Sequence, residues 1–341
     1  MCPGGCLSLF EIINVILPLY LLIGLGFVSI WWGWFPAAAI PGFGKFVRNF
    51  ALPSAIFLAL AQREMDEVLH LGFLLAFGIA SVASFLLSLF FARRVGGNAP
   101  VLIGLLALAG SMSNGLMIGI PLITGLFGNA ALAAIAQQLI IENALLLPAG
   151  LVLVELARAR AGQGRGTDPE ARLIPVLRRT IWGVLTNPMV LALLLGMLVS
   201  LSDWPLPNAL ERSVGMVAAS VSGMALMFIG VTLFGTDLRA TLGGVLPAIA
   251  IKNGFHPLMM ALTFWAVMLA WKAMGWMPIP SLYVNTALVI ASLPTIGTLP
   301  AIAAGFGQGR TISLAVLVMT LVSGITTPLT IWLLVTFQPF A

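Results

Sequence analysis

Residues 95–141 contain no Asp, Glu, Lys or Arg, and neither do 12–44, 68–92, 180–202, 213–236, 273–309 and 311–341. A soluble fold needs charge at short intervals to cover its core; a chain of 341 residues that is 8% charged and 60% hydrophobic cannot supply it. The solvent for such runs is lipid, whose hydrocarbon core of about 30 Å takes about 20 apolar residues per helix. Divided at Pro, Gly and polar clusters, the runs predict ten spans. These are 12–32, 43–62, 69–92, 100–124, 130–157, 181–202, 209–234, 243–270, 281–305 and 311–336, numbered one to ten below. A transmembrane barrel is excluded, because its strands need about ten residues of alternating polarity and these runs are longer and apolar on all sides. The fold class expected is an all-α membrane protein.

Lys and Arg set the orientation. Lys45, Arg48, Arg93, Arg94, Arg158, Arg160, Arg165, Arg172, Arg178, Arg179, Arg239 and Arg310 fall on one side, against Arg63, Arg212 and Lys272 on the other. The richer side is expected to be cytoplasmic, in a plasma membrane (the inner membrane of a bacterium), with both termini outside. Glu11, Glu64, Asp66, Glu67, Asp203 and Glu211 lean to the outer side. The basic segment 158–180, rich in Gly and Pro, reads as a linker between two halves, 1–157 and 181–341. Charge this sparse excludes a nucleic-acid partner. Two His and two Cys, Cys2 and Cys6, do not suit a metal site of imidazole or thiolate, and no cofactor is expected.

Five spans per half is an odd number, so a shared fold would be an inverted repeat. Pro18 and Gly26 in span one match Pro188 and Gly196 in span six. Pro121 in span four matches Pro294 in span nine, and Pro148 matches Pro328. A proline frees a backbone carbonyl, which lipid tolerates only where protein or a wet cavity covers it. A simple kink would explain one such proline. Two in matching positions point to broken helices around a binding site, with half-helix N-termini that favour anions.

Glu142 and Lys252 lie near the middle of spans five and eight, roughly 10 Å or more from the nearer end at 1.5 Å per residue. A charge at that depth costs at least about 2.5 kcal/mol. A structural ion pair, or snorkelling of Lys252, would accommodate it. The functional reading makes Glu142 a proton-coupling group and Lys252 an anion-binding or charge-compensating one. A lone helix histidine such as His256 is more often a packing residue. Polar side chains gather at the same places: Ser113 and Asn114 before the break in span four, Asn143 after Glu142, and Thr295 beside Pro294. Such groups also join membrane helices, and Gly115 with Gly119 forms a GxxxG motif. Trp31, Trp32, Trp34, Trp271 and Trp276 read as interfacial anchors.

Phe50-Ala51-Leu52-Pro53, Asn114 with Gly119-Ile120-Pro121-Leu122, Lys252 with Pro257, Leu293-Pro294-Thr295 and Thr326-Thr327-Pro328-Leu329 occur in this order. The chain thereby resembles the auxin efflux carrier family of membrane permeases, nearly end to end. The resemblance implies a bile-acid/sodium-symporter-like fold of ten helices in two inverted five-helix repeats, with helices four and nine broken and crossing. It implies a scaffold of helices 1, 2, 6 and 7 and a transport domain of helices 3–5 and 8–10. It further implies a small organic carboxylate substrate bound at the crossing and an elevator-like motion; with the polar clusters read above, the candidate substrate-binding residues are Ser113, Asn114, Pro121, Asn143, Pro294 and Thr295. It is compatible with a homodimer through the scaffold. Two positions depart from the family pattern: Gly115-Leu116 replaces the usual Thr-Gly, and Glu142 replaces an uncharged residue.

The expected function is secondary transport of a mono- or dicarboxylate, with coupling to H+ or Na+ open. A channel or sensor on the same scaffold is the alternative. An enzyme is not expected, since HExxH and GxSxG are absent and no Asp falls at mid-span.

Overall fold

The computed structural model describes residues 9–62, 69–95, 99–160, 188–202, 206–233 and 242–340, with Trp182 and Thr186. Cys2, Cys6, most of the linker and the charges Arg63, Glu64, Asp66, Glu67, Asp203 and Arg239 lie outside the described residues. The described residues form helices and contain no strand. In chain order the helices are α1 (Leu9–Trp31), α2 (Ala37–Ala61), α3 (Leu71–Arg94), α4 (Pro100–Ala109), α5 (Gly115–Phe127) and α6 (Asn129–Arg158). They continue as α7 (Pro188–Ser202), α8 (Asn208–Thr232), α9 (Gly243–Ala273), α10 (Ser281–Ser292), α11 (Leu299–Ala304) and α12 (Gly309–Phe337). Among the described residues, α2, α3, α6, α8, α9 and α12 are long and apolar enough to cross a membrane.

The helices are built inside out relative to a soluble fold. On α9 the exposed stripe is Leu258, Leu262, Trp265 and Leu269, at helical spacing. On α3 Leu75, Ile79 and Leu86 face outward while Ser81, Ser84 and Ser88 are buried. An apolar exterior of this kind suits lipid. Trp31, Trp32, Trp34 and Trp276 are exposed as anchors should be, but Trp271 is buried. Its ring meets Trp276 edge to face at 4.5 Å, which holds it inward.

Four helices carry one wide π turn: Val47–Ala51, Gly115–Gly119, Glu142–Leu146 and Ile251–Phe255. A proline stands two residues beyond each, at Pro53, Pro121, Pro148 and Pro257. Proline has no N–H, and its ring collides with the carbonyl four residues back. Widening the preceding turn absorbs that misfit without ending the helix.

Prolines therefore do not mark the breaks as simply as the sequence suggests. Span four stops at Ala109 and resumes at Gly115, ahead of Pro121, which stands inside the resumed helix two residues past its π turn. The wide π turn Gly115–Gly119 just before it accommodates the missing N–H and the ring. In span nine Pro294 does lie within the break, between Ser292 and Leu299.

Packing fixes these pieces. α1 lies on the Val221–Leu233 part of α8, and α7 on the Leu52–Ala61 part of α2. α3 lies on α9, α4 on the end of α6, and both α10 and α11 on α12. Glycine makes two of these contacts close. A Cβ at Gly26 would overlap the Met227 carbonyl, and one at Gly230 the Ile23 carbonyl. A Cβ at Gly196 would come within 2.9 Å of the Phe57 carbonyl.

Candidate functional site

The two breaks meet backbone to backbone: the Asn114 N–H donates to the Pro294 carbonyl at 2.8 Å. In lipid the carbonyls freed by each break need partners, and the surrounding helices supply them. Gln138 Nε2 donates to the Ser113 carbonyl at 3.3 Å, Lys252 Nζ to the Ala291 carbonyl at 2.7 Å, and Thr327 Oγ1 to the Ser292 carbonyl at 3.0 Å. The Asn114 carbonyl accepts from the N–H groups of Ile118 and Gly119.

Ser113 is the junction between the two buried charges. Its N–H donates to Glu142 Oε1 at 2.8 Å, and its hydroxyl accepts from Lys252 Nζ at 2.9 Å. Gln138 Nε2, one turn before Glu142, adds a second hydrogen bond to Glu142 Oε1 at 3.0 Å. Both charged side chains are buried, Lys252 completely. Glu142 and Lys252 are thus brought together through the non-helical backbone of span four.

Asn114 caps α5. Its Oδ1 accepts from the Met117 N–H at 3.2 Å, which satisfies one otherwise free donor of the helix start and leaves Nδ2 as its remaining donor. Asn143 Nδ2 donates to the Leu139 carbonyl at 2.9 Å, which leaves its second N–H for another acceptor. Thr295 Oγ1 is buried without a hydrogen-bond partner. His256 packs against α3, with Nδ1 at 2.9 Å from Ser84 Oγ.

A cavity of about 720 Å³ opens at this junction. Ser113, Asn114, Glu142 and Asn143 line it, together with Gly297 and Thr298 from the second break. Lys252, Pro121, Pro294 and Thr295 are not part of its wall. Lys45 and Arg48 of α2 also line it; in the sequence they served only as markers of orientation. Gln138 was the other residue missed, although its position four residues before Glu142 puts both on one helix face.

The departure at Gly115 has a steric counterpart. A Cβ at this position would overlap the carboxamide of Gln138. Glycine is what lets Gln138 reach both Ser113 and Glu142. Gly115→Thr is expected to displace Gln138 and cost about 1–3 kcal/mol, the penalty of leaving buried groups unsatisfied. Thermal unfolding in detergent checks this as a lowered Tm.

Paired helix breaks, buried charges beside them and a cavity reaching that point are features found in membrane transport proteins. The model of the family described as "Membrane transport protein" matches residues 11–332, and the chain belongs to that family, the one that includes the auxin efflux carriers. It is a multi-pass membrane transporter. A "Putative malonate transporter" of Rhizobium meliloti (strain 1021) is 27% identical over 322 residues, covering 92% of each chain. "Uncharacterized transporter YfdV" of Escherichia coli (strain K12) is 28% identical over 232 residues, 65% of this chain and 68% of that one. "Auxin efflux carrier component 2" of Arabidopsis thaliana is 26% identical over 157 residues, 45% of this chain and 24% of the plant protein.

Proposed function

We propose that the chain is a secondary active carrier that moves a small organic anion, a mono- or dicarboxylate, bound where spans four and nine cross. The observation that carries this reading is the cavity. It is lined by the basic pair Lys45 and Arg48 and also by Ser113, Asn114 and Asn143 at the breaks. Cationic walls attract an anion, and the start of α5 offers N–H groups and the Asn114 amide to a carboxylate. Lys252 balances Glu142 from behind the wall, and Glu142 is placed to take up a coupling proton. The similarity to a protein named for malonate transport supports a carboxylate substrate.

The packing pattern supports an inverted repeat of ten spans. Exchanging each span of the first half with its counterpart turns the contact of span one with span seven into that of span six with span two. Both contacts exist, and both are made at the glycines of the matching Pro-x7-Gly motifs, Gly26 and Gly196. Spans one, two, six and seven then form the scaffold, and three to five with eight to ten form the moving domain of an elevator. Arg158, at the end of span five, lies 6.0 Å from the Phe306 ring in the loop before α12, the loop that leads to Arg310, which supports one basic side. With this side cytoplasmic, both termini are outside and the cavity is open to the cytoplasm.

Uptake of labelled malonate and other small carboxylates into proteoliposomes tests the reading. Wild type is expected to accumulate at least one of them under a proton or sodium gradient. Asn114→Ala removes the cap and a donor at the cavity wall, and is expected to reduce uptake at least about tenfold, the equivalent of a charge-assisted hydrogen bond of about 1.4 kcal/mol or more. No movement of any carboxylate under any gradient would refute it.

A further inference from the structure

Two cations in the cavity wall have no counter-charge. Pro41, Gly44, Lys45, Arg48 and Leu52 all line the cavity, and their spacing of mostly three or four residues turns one face of α2 toward it. Among the described residues neither Lys45 nor Arg48 forms an ion pair; Arg48 uses only its Nε–H, on Asn49 Oδ1 at 3.3 Å. Glu142 is the single acidic residue among the described residues of the wall. Its Oε1 already accepts from Ser113 and Gln138, and Lys252 balances its charge from behind Ser113. The wall therefore holds two uncompensated positive charges, both on α2, while its neutral donors Ser113, Asn114 and Asn143 stand on other helices at the breaks. The wide turns mark Arg48 independently. Asn114 caps one π turn, Glu142 opens a second and Lys252 stands in a third, and all three belong to the network at the breaks. The fourth, Val47–Ala51, carries Arg48. Such turns within α-helices are frequent at functional sites.

We infer that Lys45 and Arg48 select a substrate with two carboxylates: one binds at the breaks and the other on this basic pair of α2. The inference rests on the carrier reading above. A guanidinium offers paired N–H donors that match a carboxylate, and the lysine adds a point charge. A dicarboxylate brings two negative charges to two uncompensated positive ones, whereas a monocarboxylate leaves one of them unmatched. Uptake into proteoliposomes tests this in matched pairs, malonate against propionate and succinate against butyrate, whose members have equal carbon counts and differ by one carboxylate. Wild type is expected to favour the diacid in kcat/KM by at least about tenfold in one or both pairs, the effect of one charge-assisted hydrogen bond. Arg48→Gln and Lys45→Gln are each expected to lower that ratio, and the double variant to bring it to about one. Arg48→Lys keeps the charge without the paired donors, and its ratio is expected to fall between those of wild type and Arg48→Gln. Reading a ratio keeps a loss of folded protein from imitating a loss of selection, and either single variant decides the matter if the other fails to fold. A wild type with no preference in either pair, or a double variant that keeps the wild-type ratio, would overturn the inference and leave the carrier reading in place. A wild type that takes up neither diacid overturns it too; one that moves no carboxylate at all overturns the carrier reading as well.

Discussion

Glu142→Ala is expected to lose transport and to unfold at a clearly lower temperature than wild type. Removing the carboxylate leaves Lys252 buried with only the Ser113 hydroxyl and the Ala291 carbonyl as partners, and leaves the Ser113 N–H and one donor of Gln138 without their acceptor. Breaking a buried ion pair by deleting one member costs about 3–5 kcal/mol. The lower end, about 3 kcal/mol, applies here because Ser113 stands between the charges. Glu142→Gln keeps an acceptor for Ser113 and is expected to fold better while losing the dependence of uptake on a proton gradient. Thermal unfolding and proteoliposome uptake separate the two effects. A Glu142→Ala protein with the Tm of wild type would show that the network around Ser113 does not hold the breaks together.

The second large effect lies away from the cavity. Gly230→Leu is expected to reduce folded protein in the membrane severely. Its Cβ would overlap the Ile23 carbonyl and lie 2.8 Å from the Phe27 nitrogen and 2.9 Å from the Gly26 α-carbon. These are backbone atoms, so no rotamer change relieves the overlap, and α1 and α8 must separate. Overpacking commonly costs 1–3 kcal/mol, and a backbone collision belongs at about 3 kcal/mol or above. Gly24→Ala is the control, since a Cβ there meets nothing within 4 Å. Fluorescence-detected size-exclusion chromatography of the two variants gives the comparison: a monodisperse Gly24→Ala peak and loss of the Gly230→Leu peak. Equal peaks would mean that α1 and α8 are not locked at this contact.

Much of this was legible in the sequence because lipid imposes a strict rule on charge. The charge-free runs located the helices, and the long predicted spans three, five, eight and ten end within a few residues of α3, α6, α9 and α12. The same rule singled out Glu142 and Lys252 as the charges at membrane depth. What the sequence could not show was their meeting through Ser113, because that contact joins three spans and leaves no periodic trace. The break ahead of Pro121 was displaced from its expected place because the π turn Gly115–Gly119 accommodates the proline inside the resumed helix. Asn114, in the role of N-cap, was the better marker. Gly115 looked like a packing glycine or a family departure; only the position of the Gln138 carboxamide gives it a steric reason. Lys45 and Arg48 were read as orientation signals, and their second place, in the cavity wall, depends on how α2 packs against the breaks.

Counterflow across proteoliposomes bears most directly on the claim that the crossing of spans four and nine is the substrate site of a carrier. Vesicles preloaded with unlabelled malonate are diluted into a trace of labelled malonate with no ion gradient. The account predicts transient, saturable accumulation of label by wild type, accelerated by substrate inside, and its loss in Asn114→Ala protein that remains folded. Flux that rises linearly with concentration and ignores the inner substrate, or full exchange by Asn114→Ala, would contradict it.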